Sequence, residues 1–226
     1  MRNLDFYKMT KKVLIIGGEG HGSVIASCIN DNRDRLHDYE FEVAGFVNDY
    51  ECQIDKYPVV GKTSDIDMLS EQGYYFAWGI HLIGRNHLTQ KTFERMAIPF
   101  DRLVTIVHHS AFISEGVTLD PGVFVMAHSY IGPRTHIGTG SMVKANVCMG
   151  HDIECGPLCH FAMGSIIGSY THLGICSNIA TGSVTLEKLN IGSYSMLGSH
   201  SLLTHDIPEG MIYAGSPAKY FRDIKE

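Results

Sequence analysis

With 226 residues, 44% hydrophobic and 19% charged, the chain has material for one large or two small cored domains of ordinary soluble composition. A formal net charge of −6 leaves no dense basic surface, which argues against a nucleic-acid backbone or an anionic membrane as the main partner. The run Val13 to Ile16 is too short for a signal-peptide core, and six cysteines without a secretion signal read as reduced thiols in the cytoplasm.

Lys12 to Ile16 is a strand-like apolar run, followed by Gly17-Gly18-Glu19-Gly20-His21-Gly22. Ser23 to Asn30 places Val24, Ile25, Cys28 and Ile29 on one side of a helix. Glu42 to Val47 reads as a second strand ending in Asn48-Asp49. Tyr74 to Trp78 reads as another, ending at Gly79, and Ile83 to Met96 as a helix. This β-α-β alternation predicts a small parallel, Rossmann-like α/β domain over 1–104. Arg102 to His109 links it to the C-terminal half of the chain.

From Ile113 to Leu203 every sixth residue is large and apolar with few exceptions, and the phase never slips. The next position is Gly in eight hexads, at 132, 138, 150, 156, 168, 174, 192 and 198. Neither a period of 3.6 nor one of 2 yields six. Short strands broken by corners do, with Gly expected to relieve backbone strain there. Three hexads then make one triangular coil over 105–209, ahead of a tail at 210–226. Cys155 to Leu186 holds no Asp, Glu, Lys or Arg, but its Gly, Ser, Thr, Asn and His exclude a membrane helix.

A glycine loop between strand and helix suits a phosphate, because bare N–H groups point at the anion. The glycines at 17, 18, 20 and 22 do not form G-x-G-x-x-G, and no acid stands about twenty residues on at the end of the second strand, which argues against a redox dinucleotide. A tight turn with no ligand is the bland alternative.

The repeat resembles that of hexapeptide-repeat proteins, whose coils form a left-handed parallel β-helix. The order of parts, with a G-x-x-G-H-G loop, a strand ending near Asp-Asp, a G…R segment and then hexads, is similar to the sialic-acid O-acetyltransferase and bacillosamine-pathway N-acetyltransferase family. That resemblance implies a nucleotide-sugar held by Glu19, Gly20, His21, Asn48, Asp49, Gly79 and Arg85, with Asn48 standing where the family often has Asp. It implies acetyl transfer from acetyl-CoA to the amino group of a nucleotide-linked sugar of the 4-amino-4,6-dideoxy type, and no metal.

Seven histidines lie in the repeat, and none takes the inward first or fifth hexad position, so all are expected at the surface or an interface. His151-Asp152 matches the family's catalytic His and its following acid. An imidazole, with an ordinary pKa of about 6.5, can take the proton that an attacking amine sheds, and Asp152 would stabilise the imidazolium. The resemblance also implies coenzyme contacts from His160, Ser169, Thr181, Ser199 and Lys219, with threefold packing bringing His160 beside a neighbour's His151. Lys144 stands where relatives often carry Asn. Outward apolar residues such as Phe124, Met126 and Tyr130 point to a homotrimer.

Three alternatives stay open. One is sugar O-acetylation. Another is a γ-carbonic-anhydrase-like metal enzyme built on Cys148, His151, Cys155, Cys159 and His160, against which the inward phase of Cys155 and Cys159 counts. The third is a non-catalytic solenoid that only binds partners.

Overall fold

The structure, a computed structural model, describes residues 10–224. The first nine residues of the expected 1–104 unit and the last two of the expected tail lie outside the described residues.

The N-terminal elements are β1 (Lys11–Ile16), α1 (His21–Leu36), β2 (Phe41–Val47), β3 (Gln53–Ile54), β4 (Tyr57–Gly61), α2 (Ile66–Glu71), β5 (Tyr75–Trp78) and α3 (Asn86–Met96). They form a sheet of order β3-β4-β2-β1-β5, parallel except for the antiparallel edge β3. β1 is central and its Val13 to Ile16 are fully buried, which is why that run is continuously apolar rather than alternating. Helix α1 runs past the expected end at Asn30. Arg35 pairs with Asp31 at 2.8 Å one turn earlier, and the helix stops where His37 turns left-handed at φ 55°. Helix α3 starts at Asn86 rather than Ile83, because Gly84 sits at φ 78°, outside helical space. β3, β4 and α2 are too short to show a period, so the sequence pattern does not assign them.

From Ile106 the chain winds into a left-handed parallel β-helix of two-residue strands. Each strand pairs with those one coil away: Tyr130 lies over Phe112 and under Cys148, so one coil is eighteen residues. The first and fifth hexad positions fill the interior, with Ile131, Ile137, Val143 and Phe161 all at 0% exposure. Inward serines are tolerated because their hydroxyls donate to corner carbonyls, as Ser129 does to Lys144 and Ser183 to Gly198, at 2.8 and 2.6 Å.

The hexad glycines act differently from the expectation. Those at the second position do not have positive φ; the left-handed residue of each corner is the fourth, where His128, Arg134, Asn146 and Asp152 stand at φ 55–60°. The second position is Gly because the next coil lies against it. A Cβ on Gly138 would come within 2.6 Å of the Gly156 carbonyl carbon and the Pro157 nitrogen. The repeat glycine provides space, not backbone freedom.

The three faces differ. On the first, the outward residues Phe124, Met142, His160 and Asn178 are buried beneath the α/β unit. Ile25, Cys28 and Ile29 of α1 pack with Phe124 and Met142, while Trp78, Phe93 and Met96 pack with Leu158 and Cys176. Asn86 fixes the join, donating to the Cys176 and Tyr194 carbonyls at 2.8 and 2.9 Å and accepting from Asn178 at 2.6 Å. The second face exposes an apolar column: Phe112 (62%), Tyr130 (41%) and Ile166 (46%), with Cys148, Val184 and Leu202 between and beyond them. The third is polar, a column of Thr118, His136, Glu154, His172 and Asn190. Phe124 and half-buried Met126 are therefore intramolecular contacts rather than the uncovered surface expected of them, and only Tyr130 of that trio lies on the bare face. A short hairpin, Met211–Gly215 and Ala218–Asp223, closes the last coil.

Gly138→Ala should lower stability by about 1–3 kcal/mol, since backbone must move to admit the methyl. Gly164→Asn should cost far less: Gly164 sits at φ 69° with nothing within 4 Å of its Cβ direction, and Asn tolerates that conformation. Thermal melts of the two variants side by side check this.

Candidate active site

His151 occupies the corner between the bare apolar face and the polar face, its side chain 42% exposed. Its Nδ1 meets Asp152 Oδ2 at 2.5 Å. Asp152 is fixed from the coil before, where Arg134 donates Nε to Oδ1 at 2.8 Å and Nη2 to Oδ2 at 2.6 Å. Those bonds from Arg134 first, and from His151 next, hold the carboxyl down at about 2. An ionised carboxylate only accepts, so Nδ1 carries a proton, and in the neutral ring that leaves Nε2 with the lone pair. Tyr170 meets the ring edge-on at 5.0 Å, and Ser169 Oγ accepts the His151 backbone N–H at 3.2 Å. Arg134 is not among the residues singled out from sequence, although it stands eighteen residues before Asp152.

A second cluster lies in the seam between the α/β unit and the covered face. His21, the first residue of α1, stacks on His160 at 5.4 Å, and His81 approaches both rings at 6.0 and 5.4 Å. Burial is the leading cause that brings His21 down to about 4 and His160 to about 3, and His81 well below its ordinary value. All three rings are thus neutral near pH 7. His160 departs from the expectation that every repeat histidine is a surface or interface group: its outward position is roofed by its own chain, and it is 6% exposed. Nothing in the local sequence of His81 marks it as part of this cluster.

The other expected residues fall into three groups. Gly20, His21, Asn48 and Gly79 meet at the carboxyl ends of β1, β2 and β5, where open α/β sheets take ligands. There Asn48 donates to the Gly17 carbonyl at 2.9 Å and accepts the Tyr50 and Glu51 amides, while Glu19 is exposed. Asp49 is already engaged, both carboxylate oxygens accepting from the Thr63 hydroxyl at 2.8–3.0 Å. Asn48 and Asp49 nevertheless border an open cavity of about 560 Å³ with Val60 and Lys62. Arg85 lines a separate concavity of about 230 Å³ with His87, Leu88 and Lys91. Ser169 shares the corner of His151, one coil on. Thr181 and Ser199 stand one coil apart on the other edge of the bare face, and Lys219 is exposed on the hairpin.

The five cysteines and histidines of the metal alternative do not converge. Cys155 and Cys159 are inside the solenoid, His151 is on an outer corner, and His160 is under the seam. Among the described residues one group has metal-ligand atoms within 4.8 Å of one another, Asp31, His108 and His109. There both imidazole Nε2 atoms bond Asp31 Oδ2 at 3.1 and 2.8 Å, and Arg35 takes the other oxygen, tying α1 to the first coil.

Residues 12–96 match the family described as the PglD N-terminal domain. PerB from Caulobacter crescentus, solved in complex with CoA and GDP-perosamine, is 28% identical, with a TM-score of 0.81 over 94% of this chain and 98% of that one. The acetyltransferase domain of PglB from Neisseria gonorrhoeae is 26% identical, with a TM-score of 0.82 over 94% of this chain and all of that one. Both likenesses cover the α/β unit and the β-helix together. Over nearly its whole length the chain is similar to these two acetyltransferases.

Curated relatives share less. Serine acetyltransferase 2 of Arabidopsis thaliana is 32% identical over 121 residues, 53% of this chain and 33% of that protein. A UDP-N-acetylglucosamine O-acyltransferase of Burkholderia orbicola is 29% identical over 119 residues, 52% of this chain and 38% of that one. The chain spans between about a third and a half of the length of the curated relatives it matches.

Arg134→Gln should move the Asp152 carboxyl back up toward the ordinary carboxylate range, because its strongest partner loses its charge. Carboxyl carbon NMR titration reads this directly.

Proposed function

We propose that this chain transfers the acetyl group of acetyl-CoA to the amino group of a nucleotide-linked amino sugar, with His151 as general base. The observation that carries this is the polarised imidazole: Arg134 holds Asp152, Asp152 holds the Nδ1 proton, and Nε2 is left as acceptor at a half-exposed corner. The neutral amine attacks the thioester carbonyl carbon, and Nε2 takes the proton the nitrogen sheds. The C–S bond breaks, and the imidazolium returns that proton to the thiolate sulfur. Asp152 stabilises the imidazolium between these steps. The bound GDP-perosamine and CoA of PerB support an amino sugar on a nucleotide as acceptor and acetyl-CoA as donor.

The acceptor side of the reaction belongs to the 1–104 unit, at the strand ends around Gly20, His21, Asn48 and Gly79. In one chain that seam and His151 lie on different sides of the solenoid, with the bare apolar face between the His151 edge and the edge bearing Lys144, Thr181 and Ser199. A homotrimer that buries this face against neighbours sets the His151 edge of one subunit beside the Lys144 edge of the next. The groove so formed runs past Ser169, Thr181 and Ser199 toward Lys219, and it is the site we assign to coenzyme A. The working compartment is the cytoplasm, where the six free thiols stay reduced. No described helix is long and apolar enough to cross a membrane.

His151→Ala should lower kcat by about 10²- to 10⁴-fold with substrate binding retained. Asp152→Asn should cost less and shift the acidic limb of the pH–rate profile downward, since the carboxylate no longer favours the imidazolium. Near-normal kcat in His151→Ala would place the base elsewhere.

Sharing between subunits has its own test. Co-expressed His151→Ala and His160→Ala chains, each inactive alone, should form mixed trimers in which about a quarter of sites carry both intact residues. Recovered coenzyme release supports the shared site. No recovery in mixed trimers, isolated by two affinity tags, would put both residues in one chain's site.

A further inference from the structure

The edge of the seam holds a cation without a counter-charge. Lys144 is the second residue of its hexad, at the edge between the covered and bare faces, and is 8% exposed. Among the described residues its ammonium makes no hydrogen bond or ion pair. Its charge is felt by His21, His81 and His160, and no carboxylate is among the groups acting on those rings. The Nε2 atoms of His81 and His160, on side chains more than nine-tenths buried, have no partner either. The sixteen-residue helix α1 begins at His21 with no side-chain cap and no acid in its first turn, so its positive end also lies here.

The Lys144 stem is enclosed while its ammonium keeps some contact with solvent, and this partial desolvation lowers its proton affinity. A neutral residue at this position would avoid that penalty. Two orphaned imidazole nitrogens and a free helix N-terminus mark the seam as built for a polar ligand, and Lys144 sets its sign. We propose that Lys144 is the counter-charge to an anionic oxygen group of the acceptor, making the charge of the acceptor a determinant of specificity. The inference rests on the acceptor being a nucleotide-linked amino sugar. Two parts of such a molecule carry this chemistry: the diphosphate that joins sugar to nucleoside, and a carboxylate on the sugar ring.

The test uses the full-length enzyme and its Lys144→Met and Lys144→Arg variants. Coenzyme release is measured with acetyl-CoA and two UDP-linked amino sugars that differ only in a methyl or a carboxylate at ring carbon 5. Lys144→Met should raise KM for the acceptor about tenfold or more and leave KM for acetyl-CoA within about twofold, and Lys144→Arg should recover most of the loss. An equal rise for both sugars assigns the anion to the diphosphate. A rise confined to the carboxylate sugar assigns it to the ring. Unchanged acceptor KM overturns the proposal, as does an effect that falls instead on acetyl-CoA or on trimer assembly. Calorimetric binding of the same two nucleotide sugars without acetyl-CoA keeps the outcomes separate. Loss of affinity in Lys144→Met upholds the role of Lys144 even if no acetyl transfer is seen, and unaltered affinity refutes it even if transfer proceeds.

Discussion

Everything in this molecule hangs on the hydrogen-bonded register that places each residue of the solenoid eighteen positions from its neighbour above and below. A two-residue strand has almost no stability of its own, and it persists because its amide and carbonyl groups are taken up by the coils on either side, as at Tyr130 between Phe112 and Cys148. Once that spacing holds, side chains line up in columns whose character is inherited by a whole face. The same spacing sets Arg134 under Asp152 and Ser169 next to His151, so the geometry of the His151 corner and the backbone ladder are one construction. The interior is too narrow for large residues at every point, which is why hydroxyls that bond corner carbonyls alternate with aliphatic groups.

The α/β unit is joined to this scaffold by polar clamps as well as by apolar packing. Asn86 and Asn178 lock α3 to the coils, and Asn32 bonds the backbone of the first coil through both ends of its amide, donating to the Val107 carbonyl at 2.8 Å and accepting the His109 amide at 2.8 Å. Buried amides satisfied on both sides fix orientation more sharply than apolar contact does. The result is a seam of defined width in which His21, from the start of a helix, and His160, from a coil, stack as if they belonged to one element.

The β-helix is legible in the sequence because its period is unlike that of any helix or simple strand, and because the inward positions must be apolar or small in every turn. The pairing of His151 with Asp152 is legible as a motif. Properties that arise only when columns and domains meet are not. The hexad glycines look like relief of strain, but the strained position is two residues later and is filled by residues such as Asp152 and Arg134. His160 has the phase of a surface residue and is buried because a separate domain lies on it. His81 carries no local signal, and β3, β4 and α2 are shorter than the windows in which periodicity can be seen.

Corner conformation limits how such a chain can change length. A single inserted residue would turn every following inward side chain outward, whereas eighteen residues added or removed together return each column to its own face. The hairpin acts only on the last coil, the α/β unit lies along one face as far as Tyr194, and the residues around His151 depend on the coils next to them. The molecule is thus graduated in whole turns: the stack can be lengthened or shortened by one coil beyond Ser199 without re-aiming a side chain at the corner of His151.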